Sequence, residues 1–172
     1  MTFSFFDLDE KTRKLMLEEL HYDLERRSIY ISARLNSFGV TQFPSRLQNA
    51  LTHGTEESLA RDLLGSFNST EEKKKPKGGF TTATIPVNAN KTLAEGEYNR
   101  YYVRALCRRA IDEGQRLQVY RAKQVSNPRA ESTQKIGQFL EPLALLTDLR
   151  NNVDPHLGLA IPNSGLSVRL IM

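Results

Sequence analysis

The chain is expected to fold in the α+β class, with short helices in its N-terminal region and a β-α-β-α-β unit behind them whose small sheet packs on one central helix. Three observations carry this expectation. Residues 92–114, TLAEGEYNRYYVRALCRRAIDEG, hold the longest run of helical periodicity in the sequence. Segments of strand character stand on either side, FTTATIPV before it and LQVYRAKQV after it. The first 65 residues break instead into short helical pieces punctuated by Gly39, Pro44 and Gly54.

The central stretch has its own start and stop signals. Thr92 and Glu95 have the spacing of a capping box, and Gly114 suits a left-handed helix end. At about 100° per residue, Tyr102, Val103, Leu106, Cys107 and Ala110 fall on one stripe to be buried, with Asn99 at its edge. Arg100, Arg104 and Arg108 line up at intervals of four on a different face. The expectation is a helix with one side buried and a basic side shown.

Before it, Phe3, Phe5 and Phe6 form an aromatic head, and Asp7 or Asp9 caps a helix running to about Arg26. SIYISARLN is ambiguous between strand alternation and helical spacing, and its helical neighbours tip the reading to helix. Gly39 breaks the chain, Pro44 suits the first turn of a helix through Leu51, and Gly54 closes it. Thr55 with Glu56 and Glu57 opens another helix through Leu64, its acids at the positive end of the dipole. This N-terminal region, 1–65, is followed by SFNSTEEKKKPKGG at 66–79, read as an exposed linker or long loop.

The C-terminal region, 80–172, opens on FTTATIPV, whose Pro86 marks a strand end or edge. After the central helix and the strand LQVYRAKQV, SNPR breaks the chain and residues 130–138 form a helical turn or short helix. Pro142 sits in the first turn of a helix carrying Leu143, Leu146 and Leu149, and LSVRLIM closes the chain as a strand. A strand–helix–strand unit favours a parallel pair with a right-handed crossover, provided both strands share a sheet.

Composition narrows the class of protein. A hydrophobic share of 39% is enough for one core with little surplus. The net charge of +4 permits an anionic partner without demanding one. A single cysteine excludes an internal disulfide, and a cytoplasmic or intracellularly assembled protein is expected. No apolar run approaches the ~20 residues that cross a bilayer, and MTFSFFDLDEKTRK lacks the pattern of a secretory signal.

No chemistry is spelled out. His21, His53 and His156 stand far apart without metal-ligand spacing, Cys107 falls on the buried stripe, and no serine sits in a GxSxG elbow. PKGGF matches no phosphate-binding loop, and its two glycines are read instead as a polar hairpin approach. The expectation is therefore no catalytic residue, no metal and no cofactor. Two basic features remain. Lys73, Lys74, Lys75 and Lys77 flank Pro76, with Glu71 and Glu72 before them diluting the field. Arg100, Arg104 and Arg108 lie near Tyr101, with Arg121 and Lys123 on the following strand. Arginine beside exposed tyrosine binds single strands by charge and stacking. The same arginines serve equally in ion pairs, with Glu97 for Arg100 and Asp112 for Arg108 at helical spacing.

AEGEYNRYYVRALCRRAIDEG, VYRAKQVSNPR, IGQFLEP, LLTDLR and PNSGLSVRL together resemble a group of short, mostly uncharacterised proteins of bacterial and tailed-phage genomes. Residues 80–170 carry the resemblance best. It implies an accessory protein that accompanies phage head genes, resident in the virion and assembled in the host cytoplasm, or cytoplasmic if not phage-encoded. The expected function is that of a non-enzymatic structural or assembly protein working through protein–protein contacts. Its partners would be copies of itself, capsid or other virion proteins, and no membrane. The apolar ends, Phe3, Phe5, Phe6 and Leu170, Ile171, Met172, are then interface candidates. The alternative is a nucleic-acid-binding module using the arginine helix and the lysine loop.

Overall fold

A computed structural model describes residues 2–161 and 163–172. Its class is α+β. Three helices come first: α1 (Glu10–Arg26), α2 (Ser37–His53) and α3 (Glu56–Asp62). Local side-chain chemistry fixes their starts. The Asp9 carboxylate accepts the Thr12 N–H at 2.8 Å, and Thr55 and Ser58 cap α3 reciprocally. The helix α2 begins earlier than expected, because the Asn36 side chain accepts the Gly39 N–H at 2.8 Å. Gly39 and Pro44 therefore lie inside the helix instead of bounding it. Gly39 is needed for closeness: a Cβ there would stand 2.3 Å from the Ser66 carbonyl oxygen.

The helix expected over 28–36 does not form. Arg27 ends α1 in the left-handed conformation, and the chain then runs irregularly to Leu35, which makes an isolated bridge with Phe67. The stretch expected as a linker is also more ordered than its composition suggests. Strand β1 (Thr70–Lys74) pairs antiparallel with β2 (Phe80–Thr84) in a two-stranded ribbon. The Gly78 N–H donates to the Lys75 carbonyl and the Lys75 N–H to the Gly79 carbonyl, closing a turn with Pro76 at its first central position. Gly78 and Gly79 supply the positive φ of 94° and 76° that such a turn requires.

The organising element is α4 (Ala89–Glu113). It starts three residues before Thr92, so no capping box forms there, and it ends at Gly114 with φ 66° as expected. Every residue from Gly96 to Cys107 is buried. Helices α1 and α3, together with α6 (Pro142–Asn151), pack around it, and the second sheet covers a further side. That sheet joins β4 (Phe139–Leu140), β3 (Arg116–Arg121) and β5 (Leu166–Ile171) in the order β4-β3-β5, with both pairings antiparallel. The short helix α5 (Ala130–Lys135) precedes β4. The parallel crossover expected around the central helix is absent because β2 and β3 belong to different sheets. The tight 75–79 turn folds β2 back on β1 at once, and the loop-closure entropy of a local hairpin is the smaller cost.

Met16, Leu20, Phe43 and Leu59 join Tyr98, Leu106, Val119, Leu146 and Val168 in one contiguous core cluster. The aromatic head docks on its own chain. The Phe5 ring lies 5.4 Å from that of Tyr98 and 4.5 Å from that of Tyr102, and Phe6 lies 4.8 Å from Tyr120. The Ser4 N–H donates to the Ala122 carbonyl, and the Leu170 N–H to the Asp7 carboxylate. Chain start and chain end are thereby tied to the same sheet.

Candidate functional site

The arginine line of α4 is an internal feature. Arg104 is the largest of the fully buried side chains, and its guanidinium is shared between two acids of α1. Its Nε donates to Glu19 at 2.9 Å, while Nη1 and Nη2 fork onto Asp23 at 2.6 and 3.0 Å. The Tyr101 hydroxyl donates to the same aspartate at 2.8 Å. Arg150 of α6 approaches Glu19 from the other side, its Nε at 2.9 Å. Three helices are thus pinned around one buried cluster. Burial alone would raise the Glu19 carboxyl, but Arg150 and Arg104 hold it below the usual carboxylate range.

Arg100 is buried too, and it caps a helix. Its guanidinium donates to the carbonyls of Leu149, Asn152 and Val153, around the C-terminal end of α6 where cations are favoured. Only Arg108 of the three reaches solvent, and it pairs with Glu18 at 2.7 Å rather than with Asp112. Tyr101 is fully buried, so the exposed tyrosine beside a basic face is not there. Arg121 is half-buried and donates to the Ser164 carbonyl at 3.1 Å, and Lys123 is paired with Glu95. The sequence expectation of an outward basic helix is therefore corrected: Arg100, Tyr101 and Arg104 present no contact surface.

Beside this cluster lies a cleft that the sequence did not single out. A cavity of about 180 Å³ is lined by Tyr30, Ser32, Phe67, Glu97, Arg100 and Asp154, among others. A second of about 120 Å³ shares Tyr30, Glu97, Arg100 and Val153 with it. Glu97 stands between them, 3.6 Å from the Arg100 Nε. Neither its Oε2 nor that Nε makes a hydrogen bond. Burial pushes the Glu97 carboxyl up to about 7, against the pull of Arg100 and Arg104. The arrangement is a buried carboxyl able to hold a proton near neutral pH. Nothing in the spacing of the sequence marks it, because its environment is assembled from the 30–34 stretch, α4 and the loop after α6.

The remaining candidates divide cleanly by exposure. Phe6 and Met172 are exposed at 61% and 104%, whereas Phe3, Phe5, Leu170 and Ile171 are partly covered by their own chain. Lys73, Lys74, Lys75 and Lys77 all stand in the hairpin, and every residue from Thr70 to Thr84 is exposed except Glu71 and Ala83. Glu71 holds this ribbon to the body: Arg34 donates to it twice, at 2.7 and 2.9 Å, and Lys73 lies 3.4 Å from it. The signal for the hairpin was legible in KPKGG as a turn. The low β propensity of TEEKK hid its first strand.

Cys107 has no exposed surface, and burial pushes its thiol far above the ordinary range. The native chain is expected to resist a thiol-specific reagent for hours at about pH 8 and to react promptly once denatured. Rapid labelling of the folded chain would show that α4 opens locally.

Among the described residues, no three His, Cys, Asp or Glu side chains gather as a metal site would, and no helix is long and apolar enough to cross a membrane. No protein-family model matches the chain, and no curated protein and no solved structure is significantly similar to it.

Proposed function

We propose that the chain is a non-enzymatic assembly protein of a phage virion, a capsid-associated, decoration or connector accessory. It works through contacts with copies of itself and with other virion proteins, in a particle assembled in the host cytoplasm. The observation that carries this reading is the β1–β2 ribbon. It stands out in solvent, pinned to the body through Glu71, and each of its strands keeps an open edge. A two-stranded ribbon with open edges is marginal alone and gains from being covered or paired. The virion setting comes from the resemblance of residues 80–170.

The body behind the ribbon fits the role of a rigid mount. Glu19, Asp23, Arg104 and Arg150 are spent on one another inside it, which leaves the ribbon and exposed apolar side chains such as Phe6, Leu64, Val87, Leu143 and Met172 for contact. Light scattering after size-exclusion chromatography and co-sedimentation with virions test the reading. The full chain is expected to self-associate or to travel with the particles. A variant with residues 72–82 replaced by a Gly-Ser loop should lose that association while melting at the same temperature. A chain that is strictly monomeric and not retained by particles, or a ribbonless variant that associates fully, sinks the proposal.

A further inference from the structure

We infer that the tip of the β1–β2 ribbon is a contact for single-stranded nucleic acid, with Lys74, Lys75 and Lys77 on phosphates and Phe80 as a stacking platform. The inference rests on the reading of the ribbon as a contact arm and gives that arm a partner chemistry.

The pairing register places Lys74 directly opposite Phe80, on the same face of the ribbon. Lys75 and Lys77 flank Pro76 in the turn that follows, so three ammonium groups and one ring are gathered at one end of the ribbon. Lys73 is different. It points with Glu71 to the opposite face and is paired there. Among the described residues Lys74, Lys75 and Lys77 belong to none of the ion pairs, whereas all four α4 arginines do. Glu72 shares the face of Lys74 but sits a step nearer the base, opposite Thr82, so it weakens the field there more than at the tip. Phe80 is 66% exposed.

An acidic protein surface would complement the lysines and leave this ring in water. An unpaired nucleotide run uses both, since phosphates take the ammonium groups and every base offers a face to the ring. A duplex keeps its bases stacked out of the ring's reach. Three phosphate contacts on a single strand give a salt slope of about −2 on logarithmic axes, so affinity should fall about 20-fold between roughly 50 and 200 mM salt. Losing a stacking ring should weaken binding about tenfold.

The test is fluorescence anisotropy of a labelled oligothymidylate of about 20 nucleotides with the full chain at low salt, and with a duplex of equal length beside it. The wild type should bind the single strand more tightly than the duplex, with the steep salt dependence above. Phe80→Ala should weaken binding about tenfold. The triple variant Lys74→Gln, Lys75→Gln, Lys77→Gln should abolish binding and leave the melting temperature unchanged. The inference is overturned if the wild type binds no oligonucleotide at low salt, if the triple variant binds as the wild type does, or if Phe80→Ala has no effect. Virion association by a wild type that binds no oligonucleotide, retained in the triple variant, would leave the arm reading standing while removing this one.

Discussion

Replacing Arg104 by alanine is expected to destabilise the fold by about 3–5 kcal/mol, because Asp23 is then left buried without a counter-charge and Glu19 keeps only the partly exposed Arg150 and Arg108. Arg104 and Glu19 each keep about 1% of their side-chain surface in solvent, and Asp23 keeps 5%. Water cannot replace the lost guanidinium at such depth. Against a total stability of about 5–15 kcal/mol, such a loss is large, and at 172 residues it lowers the melting temperature by about 10 °C. The second arm of the experiment separates the pair from its parts. Combining Arg104→Met with Glu19→Gln and Asp23→Asn removes the charges together and should recover much of the loss, since the desolvation cost falls with them. Arg150 then lacks its partner, but it is 25% exposed and can turn to solvent. Urea denaturation of the single and triple variants measures both quantities. A single variant as stable as the wild type would mean that the cluster is hydrated and the helices are held by apolar packing alone.

The same cluster explains which parts of the fold were legible in the sequence. Helix starts at Asp9, Thr55 and Pro142 were readable because caps act over three or four residues, and so was the stop at Gly114. The orientation of α4 was not readable. Arg100 and Arg104 at helical spacing imitate a solvated face, and the partners that bury them lie far along the chain. Local periodicity carries no record of Asp23, Glu19 or the carbonyls of α6. The stretch 28–36 failed for a related reason: Leu35 answers to Phe67, beyond any window used to weigh helix against strand. The ribbon was half legible, its turn from the glycines of PKGGF, its register only from the folded chain. The cleft at Glu97 was not legible at all, since a glutamate in a helix signals solvent until its neighbours are known.

Stability should rise as the pH falls from about 7 toward 5, and Glu97→Gln should flatten that rise. The folded Glu97 carboxyl is pushed up to about 7 by burial, whereas its ordinary value is 4.5. Between these limits the folded chain holds a proton that the unfolded chain has released, so acidification favours the folded state. Each pH unit inside the window changes stability by at most about 1.4 kcal/mol. Arg100 and Arg104 oppose the effect by favouring the carboxylate, Asp23 adds to it, and Arg34 and Asp154 line the cavity in front. Glu56 is raised by burial and contributes with the same sign. Glu19 and Asp148 are lowered, Glu19 by its arginines and Asp148 by the N–H groups of Leu157 and His156, so their stabilisation is lost only in more acid solution. Above about pH 7 the wild type carries a charged carboxylate whose Oε2 has no partner, whereas the amide introduced by Glu97→Gln is neutral. The variant is therefore expected to be the more stable protein at about pH 8 and nearly equal to the wild type at about pH 5. Melting curves across that range decide the matter, and two parallel pH profiles would show that Glu97 stays ionised and hydrated in the cleft.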